Sequence, residues 1–566
     1  MRPITNLMIW SLANISPRIR KNKSRDFVIL EKGSHVGGTW NDNKYPGCCC
    51  DVWSHLYSYS FEPNARWTRM YPGQEEIYDY LVSIAEKWGL YKHIRFNSSV
   101  EEAIWDDKEL NWKVRVAVSG EKTAQYGAGY MINADFLVSG VGQLNTPHYP
   151  EIEGLNDFKG KVMHSARWDW SYNLEGKKIG IIGSGATSAQ IIPEVSKVAK
   201  SVVVFQRTPN WVTPREDAPI GPVMHFALDY IPGLRARFRA FMMDVREKMY
   251  DSVIAKDSDG NAALRHLCTE FMHRQVPDRP DLWEKLTPDY APGCKRVLIS
   301  DDFYPAMAQS HIHLETDKIK RITEKGVVVT HEDGSEEEFE LDLLVCATGF
   351  RTNEFMFPMK VVGRNGTQLS QVWHNGAHAY LGMTVEEMPN FAMMYGPNTN
   401  LGHNSIILMI EAQSNYINGL IKPLLEAKRQ AKRLAAVPKT ERVLEWNQEL
   451  QEKLKGLTFA DPACQSWYKT KEGLITNNWS GTVIEYQKNL SDIDWRQDFE
   501  ILGEGKDVVE KRIRSGGKEH IGRVREETVV PVLALTTYSA LGAVAYYTWK
   551  VASKSDVLKN VVANIF

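Results

Sequence analysis

Apolar positions along the chain form short β-branched runs that alternate with longer stretches of helical periodicity. Asp26 to Glu31 (DFVILE) is a short β-rich run closed by an acid and a glycine-containing turn, as buried parallel strands are. Glu75 to Trp88 sets Ile77, Leu81 and Ile84 on one helical face. Two strands, AIWDD and WKVRVAV, bracket a turn near Asp107, and Ala134 to Val141 reads as a buried strand running into Gly142. Lys177 to Ile182 opens a second βαβ unit, with GSGATSAQIIPEV as turn and helix and SVVVFQR as its next strand. Residues 217–292 are helix-rich and aromatic, an insertion and not a separate domain. Leu341 to Phe350 is a strand entering a glycine turn, and helical patterns run from Ile406 to Lys432 and from Glu441 to Lys455. The alternation predicts an α/β fold of two doubly wound, Rossmann-like dinucleotide-binding units with a helical insertion.

Both ends depart from this pattern. The apolar patch Leu7 to Leu12 is broken by polar residues and followed by a basic run, too short for the core of a signal peptide. Val529 to Trp549 carries no charge over about 21 residues, about 31 Å as a helix. That predicts a C-terminal hydrophobic, transmembrane helix, with a buried terminal helix as the alternative. Basic residues before it (Lys511, Arg512, Arg514, Lys518, Arg523, Arg525) outnumber those after it (Lys550, Lys554, Lys559), which would keep the body in the cytosol. Endoplasmic reticulum is one possible membrane; without the anchor the protein would be cytoplasmic.

Composition narrows the classes. With 43% apolar and 24% charged residues in 566, the chain is not mainly disordered. Lys and Arg number 68 against 70 Asp and Glu, a net charge of −2 that argues against nucleic-acid binding. Seven cysteines are too few for a disulfide scaffold and suggest a reducing compartment. Nothing in the sequence reports oligomeric state or a metal site.

The chemistry lies in the loops. Gly183, Ser184, Gly185, Ala186, Thr187 and Ser188 follow a strand and open an apolar helix, where backbone N–H groups meet a pyrophosphate. At the end of the next strand Arg207 stands where an acid would select NAD, and it suits the 2′-phosphate of NADP. Glu31 ends a strand as an acid that binds a ribose hydroxyl does. Gly37 to Asp51 (GGTWNDNKYPGCCCD) and Phe158 to Asp169 (FKGKVMHSARWD) are the most information-rich segments.

The first of these agrees with the pattern [AG]GxWxxxx[FY]P[GM]xxxD and the second with FxGxxxHxxxW[PD], at every specified position. From about Asp26 to Gln487 the chain therefore resembles the type I Baeyer–Villiger monooxygenases, class B flavoproteins that use FAD and NADPH. GPNTNLGHNS, the ATG turn at Ala347 to Gly349, and CQSWY at Cys464 to Tyr468 add to the likeness. The resemblance implies an FAD domain in two parts (26–157 and 346–490) and an NADPH domain (158–345) holding the insertion, preceded by an N-terminus (1–25) atypical of the family. A basic linker (491–528), the helix (529–549) and a short tail (550–566) complete it. Carried over by motif, Glu31, Thr39, Trp40, Asn41 and Asp42 would bind FAD, as would Asp51, Val52 and Tyr57, with Val100 near the adenine end. Cys49, Cys50 and Asp51 would face the nicotinamide. Gly183 to Ser188 would cradle the NADPH pyrophosphate, with Arg207, Thr208 and Lys295 at the 2′-phosphate. Arg296 would be the catalytic cation that stabilises anionic oxygen, positioned by Asp51. His164 is expected to be structural.

The implied activity is insertion of one atom of O₂ next to the carbonyl of a bulky hydrophobic ketone, with secondary metabolism as the expected setting. S or N oxygenation is the close alternative. A flavin disulfide reductase is disfavoured because Cys48, Cys49 and Cys50 are contiguous. One departure stands out: no glycine precedes Asp26, so the family's GxGxxG loop for the FAD diphosphate is missing. Either the start of the chain is truncated or mis-assembled, or the protein is a non-catalytic, membrane-tethered remnant.

Overall fold

A computed structural model describes residues 27–120, 127–513 and 516–523. The atypical N-terminus up to Asp26 and the hydrophobic segment 529–549 lie outside the described residues. Among the described residues no helix is long and apolar enough to cross a membrane.

The first nucleotide unit is built in pieces. β1 (Ile29–Leu30) pairs in parallel with β2 (Ile94–Arg95). β3 (Ser98–Asp106), β4 (Asn111–Val118) and β5 (Gly129–Ala134) form an antiparallel meander. Alternation decides its faces: Trp112, Val114, Val116 and Val118 of β4 point inward while the residues between them do not. Trp105 and Trp112 meet edge to face at 5.5 Å, and the Trp112 indole donates to the Pro389 carbonyl at 2.8 Å. β6 (Leu137–Ser139) pairs in parallel with Phe391–Met393, a strand that returns to this unit after the second one is complete. The short helix α1 (Thr39–Asp42) and the longer α2 (Gln74–Lys87) cover it. The DFVILE run yields only the two-residue β1, because β2 is its sole ladder partner among the described residues.

The second unit is regular. β7 (Lys161–His164), β8 (Lys178–Ile182), β9 (Ser201–Phe205), β10 (Ile312–Glu315) and β11 (Leu343–Cys346) form a parallel sheet in the order β10-β9-β8-β11-β7. Its central strands are buried on both faces, which is why they read as unbroken aliphatic runs. α3 (Ala186–Val195) follows β8, whose neighbours β9 and β11 arrive by opposite crossovers. That is the switch point at which such sheets bind ligands. The strand predicted through Arg207 ends at Phe205, so Gln206 to Thr208 belong to the loop beyond the sheet edge.

Residues 217–292 form helices as expected, chiefly α4 (Pro222–Tyr230), α5 (Leu234–Lys248) and α6 (Asp259–Gln275). α7 (Ile406–Arg429) is buried along most of its length, and α8 (Thr440–Lys455) packs one amphipathic face. α7 stops short of Lys432 because Ala431 turns into the left-handed region at φ 55°. The fold also joins Cys294 to Cys464 by a disulfide, across 170 residues of sequence. The cysteine count suggests a reducing compartment and no disulfide scaffold; spacing alone holds no sign of this single pair.

Candidate active site

The chemically distinctive centre is an ion pair between segments far apart in sequence. Arg296 Nε donates to Asp51 Oδ2 at 2.7 Å and Nη2 to Oδ1 at 2.9 Å, a two-pronged contact. Nη1 donates to the Leu401 carbonyl at 2.9 Å. The remaining guanidinium N–H groups have no partner among the described residues. Burial disfavours both charges, but each group offsets that cost for the other. Asp51 is held below the ordinary carboxyl value and Arg296 above its own, so both stay charged. Tyr395 and Tyr468 lie near enough for their phenols to feel the Arg296 charge.

The two nucleotide units are stitched together beside this pair. Gly47 has φ 76°, and a Cβ there would meet the Gln190 carbonyl at 2.4 Å, so the loop approaches α3 only with glycine. Tyr45 donates to Gln190 Oε1 at 2.9 Å, and Gln190 Nε2 donates to the Cys49 carbonyl at 3.2 Å. Arg215 Nη1 lies 3.4 Å from Cys49 Sγ. Despite Arg215, burial keeps the Cys49 thiol above its ordinary value. A cleft of about 940 Å³ opens here, lined by Tyr45, Cys49, Gln190, Arg215 and Trp170 among others. Cys50 is buried and does not line that cleft, so of the two adjacent cysteines proposed for the nicotinamide only Cys49 reaches it.

Gly183 to Ser188 forms the expected turn. Gly183 has φ 109°, and a Cβ would lie 2.7 Å from the Ala347 carbonyl at the strand crossing. Nothing lies within 4 Å of a Cβ built on Gly185, the N-cap of α3, and no side chain caps that helix. Ala186 and Thr187 open the helix there. The open N-terminus suits a diphosphate. Ser184 Oγ donates to the Thr208 carbonyl at 3.0 Å, tying the loop to the Arg207 segment. Ser188 is corrected: it is fully buried, and its hydroxyl donates to the Gly183 carbonyl at 2.7 Å, bracing the loop from behind. Arg207 is exposed, and Lys295 stands within its repulsion. Burial and Arg207 together bring the Lys295 ammonium down to about 8. Two crowded cations call for an anion, so this end fits a phosphate.

At the other end Trp40 and Tyr57 meet edge to face at 5.9 Å, and the Gln74 amide donates to the Trp40 carbonyl. Lys32 Nζ donates to Asn145 Oδ1 at 3.1 Å, and Asn145 Nδ2 to Asp42 Oδ2 at 3.0 Å. Asn41 Nδ2 donates to Asp42 Oδ1 at 3.2 Å, and Thr39 starts α1. Glu31 is buried, with Oε1 accepting from the Gly33 amide at 2.6 Å. Its carbonyl accepts from Ser98, two residues from Val100 on β3. Val52 is buried beside Asp51. These residues fit the isoalloxazine and ribose ends of a flavin dinucleotide; the described residues of this unit hold no glycine-rich diphosphate loop. His164 ends β7 fully buried, its Nδ1 accepting from Ala166 at 3.1 Å, and burial takes it down to about 4. It stays a neutral, structural imidazole.

Sequence reasoning missed Gln190, Arg215, Arg246 and Glu247. Gln190 had a signal, since it sits on the helix opened by the glycine loop. The others lie in segments without a motif.

A family model described as FMO-like, flavin-binding monooxygenase-like, matches residues 54–455. The FAD-binding monooxygenase ktnD of Aspergillus niger is 49% identical over 94% of this chain and 86% of its own length. A Baeyer–Villiger monooxygenase of Streptomyces coelicolor is 38% identical over 84% of this chain and 88% of its own. Among solved structures, an oxidized steroid monooxygenase bound to NADP superposes with TM-score 0.75 at 26% identity, covering 88% of this chain and 98% of that one. A closed cyclohexanone monooxygenase gives TM-score 0.75 at 25% identity, over the same shares of the two chains.

Proposed function

The chain belongs to the flavin-binding monooxygenase-like family and is an FAD- and NADPH-dependent monooxygenase of Baeyer–Villiger type; we propose that its substrate is a bulky hydrophobic ketone, converted to an ester or lactone. The observation that carries this reading is the two-pronged Asp51–Arg296 pair at the joint of the two nucleotide units. Bound FAD, reduced by NADPH, supplies the reactive oxygen taken from O₂. The protein's part is to hold charge and shape around it. Asp51 fixes the guanidinium plane, the Leu401 carbonyl fixes its third direction, and the N–H groups left over are preorganised for an anionic oxygen. Both charges persist across the neutral range, so no proton has to move to prepare the site.

Gly183 to Thr187 would receive the NADPH diphosphate, Arg207 and Lys295 the 2′-phosphate, and Cys49 would face the nicotinamide. Glu31, Thr39 to Asp42, Val52, Tyr57 and Val100 would line the flavin dinucleotide. The uncharged segment 529–549 would tether the body to a membrane with its catalytic part in the cytosol.

Purified full-length chain, loaded with FAD, tests the activity: it should show a flavin spectrum, ketone-dependent NADPH oxidation and lactone from a bicyclic ketone by mass spectrometry. A colourless protein, or oxidation of thioethers with no ketone converted, defeats the reading. Recovery of the full-length protein in the soluble fraction without detergent defeats the tether.

A further inference from the structure

We propose that Arg246 and Glu247, neighbours on α5, are positioning residues that hold Asp51 and Arg296 in register from two sides. The proposal rests on the reading of that pair as the catalytic centre. Successive residues on a helix point about 100° apart, so one short stretch of α5 can serve two different loops. Arg246 is 7% exposed; its Nη2 donates to the Asp51 carbonyl at 3.0 Å, and its guanidinium lies 4.9 Å from the Trp53 ring centre. Glu247 turns the other way. Its Oε2 accepts from Asn404 Nδ2 at 2.8 Å, its Oε1 accepts from the Ile484 amide at 2.9 Å, and His403 Nε2 lies 3.5 Å away.

Asn404 belongs to the same turn as Leu401, whose carbonyl receives Arg296. Glu247 therefore pins the acceptor of the arginine, while Arg246 pins the backbone of its carboxylate partner. The loop at Asp51 and the turn at Leu401 lie in the two sequence-separated parts of the flavin unit, and besides Arg296 a long contact of 3.4 Å from Ser405 Oγ to the Leu56 carbonyl links them. α5 comes from the helical insertion of the other unit, and Arg246 and Glu247 bond backbone and turn atoms of the first. An insertion that merely shaped a substrate pocket would have no use for a buried arginine followed directly by a largely shielded glutamate, each bonded into the other unit.

The experiment uses FAD-loaded Arg246→Met and Glu247→Gln, with wild type alongside. Product formed per NADPH consumed should fall at least tenfold in both, while flavin content, the KM for NADPH and the melting temperature stay close to wild type. Crystal structures should show Arg296 Nη1 parted from the Leu401 carbonyl in Glu247→Gln. Arg246→Lys, which keeps the cation, should recover part of the yield. Should Glu247→Gln fail to fold, Asn404→Ala removes one donor and leaves the charge, and the same loss of yield is expected. Unchanged yield with unchanged geometry overturns the proposal. So does a parallel fall of flavin content, melting temperature and yield, which marks a purely structural role. If wild type converts no ketone, the functional reading fails first, and the crystallographic distance still judges the positioning.

Discussion

Under the proposed function the loop Gly183–Ser188 and the pair Asp51–Arg296 would do comparable work, presenting fixed positive character to an anion, yet they are built in opposite ways. The loop is local: one strand, one turn and one helix supply its donors, and Ser188 and Ser184 brace it over short distances. The pair spans 245 residues and depends on atoms from several segments: the Leu401 turn, α5, and the Cys294–Cys464 bridge two residues from Arg296. A local anion site depends on few other segments, here the Phe205–Asn210 stretch and Ala347. A distant ion pair is only as exact as the elements that hold its two halves.

Arg296→Ala should sharpen the contrast most. It removes the fixed cation and leaves the half-buried Asp51 without its partner, so oxygenated product should fall by about a hundred- to a thousandfold, read by mass spectrometry, with NADPH affinity little changed. A comparable loss of NADPH affinity would mean that the two sites are not independent. Next in size is the double variant Cys294→Ser, Cys464→Ser. Releasing a long loop should cost about 2–4 kcal/mol, seen as a lower melting temperature in calorimetry and a lower product yield, with NADPH binding retained. Arg207→Ala follows: losing a charge-assisted contact worth about 1.5–3 kcal/mol should raise the KM for NADPH roughly ten- to a hundredfold and leave that for NADH unmoved.

The smallest effect is one of pH. Lys295 titrates near 8, below the ordinary lysine value. Below that pH it is charged and attracts the 2′-phosphate; above it, binding must take up a proton. The KM for NADPH should therefore rise severalfold between about pH 8 and 9.5, and Lys295→Arg should flatten the profile because guanidinium stays charged. A flat wild-type profile would show that Arg207 alone holds the phosphate.

Much of the fold was readable because burial on both faces leaves aliphatic runs: KIGII, SVVVF and LLVC each became a central strand of the parallel sheet. The first unit was harder to read. DFVILE has the same composition, but Ile29 and Leu30 alone pair with β2, and strand length is set by what lies alongside. At the candidate site, motif positions singled out Asp51, Gly183 and Arg207, and the structure sets Asp51 against Arg296 and Gly183 at the turn into α3. Burial reversed two expectations: Cys50 faces the core instead of the cleft, and Ser188 turns its hydroxyl back on its own loop. Neither orientation leaves a trace in spacing. Arg246 and Glu247 were invisible for a different reason, since charged residues on a surface-like helix look solvated until the fold supplies what covers them.

By itself, then, the sequence determined the features set by short-range periodicity and steric demand: strands, helices, the glycine turns and the family motifs. The glycines at 47 and 183 belong here, since no other residue fits so close to a neighbouring carbonyl. Only the tertiary structure decided which charges meet. It gave the Asp51–Arg296 pair, which the family motifs implied, its two-pronged geometry, brought Cys294 to Cys464, and turned two neighbouring residues of α5 toward separate loops. The physical reason is that ion pairs, disulfides and buried hydrogen bonds act over a few ångströms in space, and only packing converts distance along the chain into that proximity.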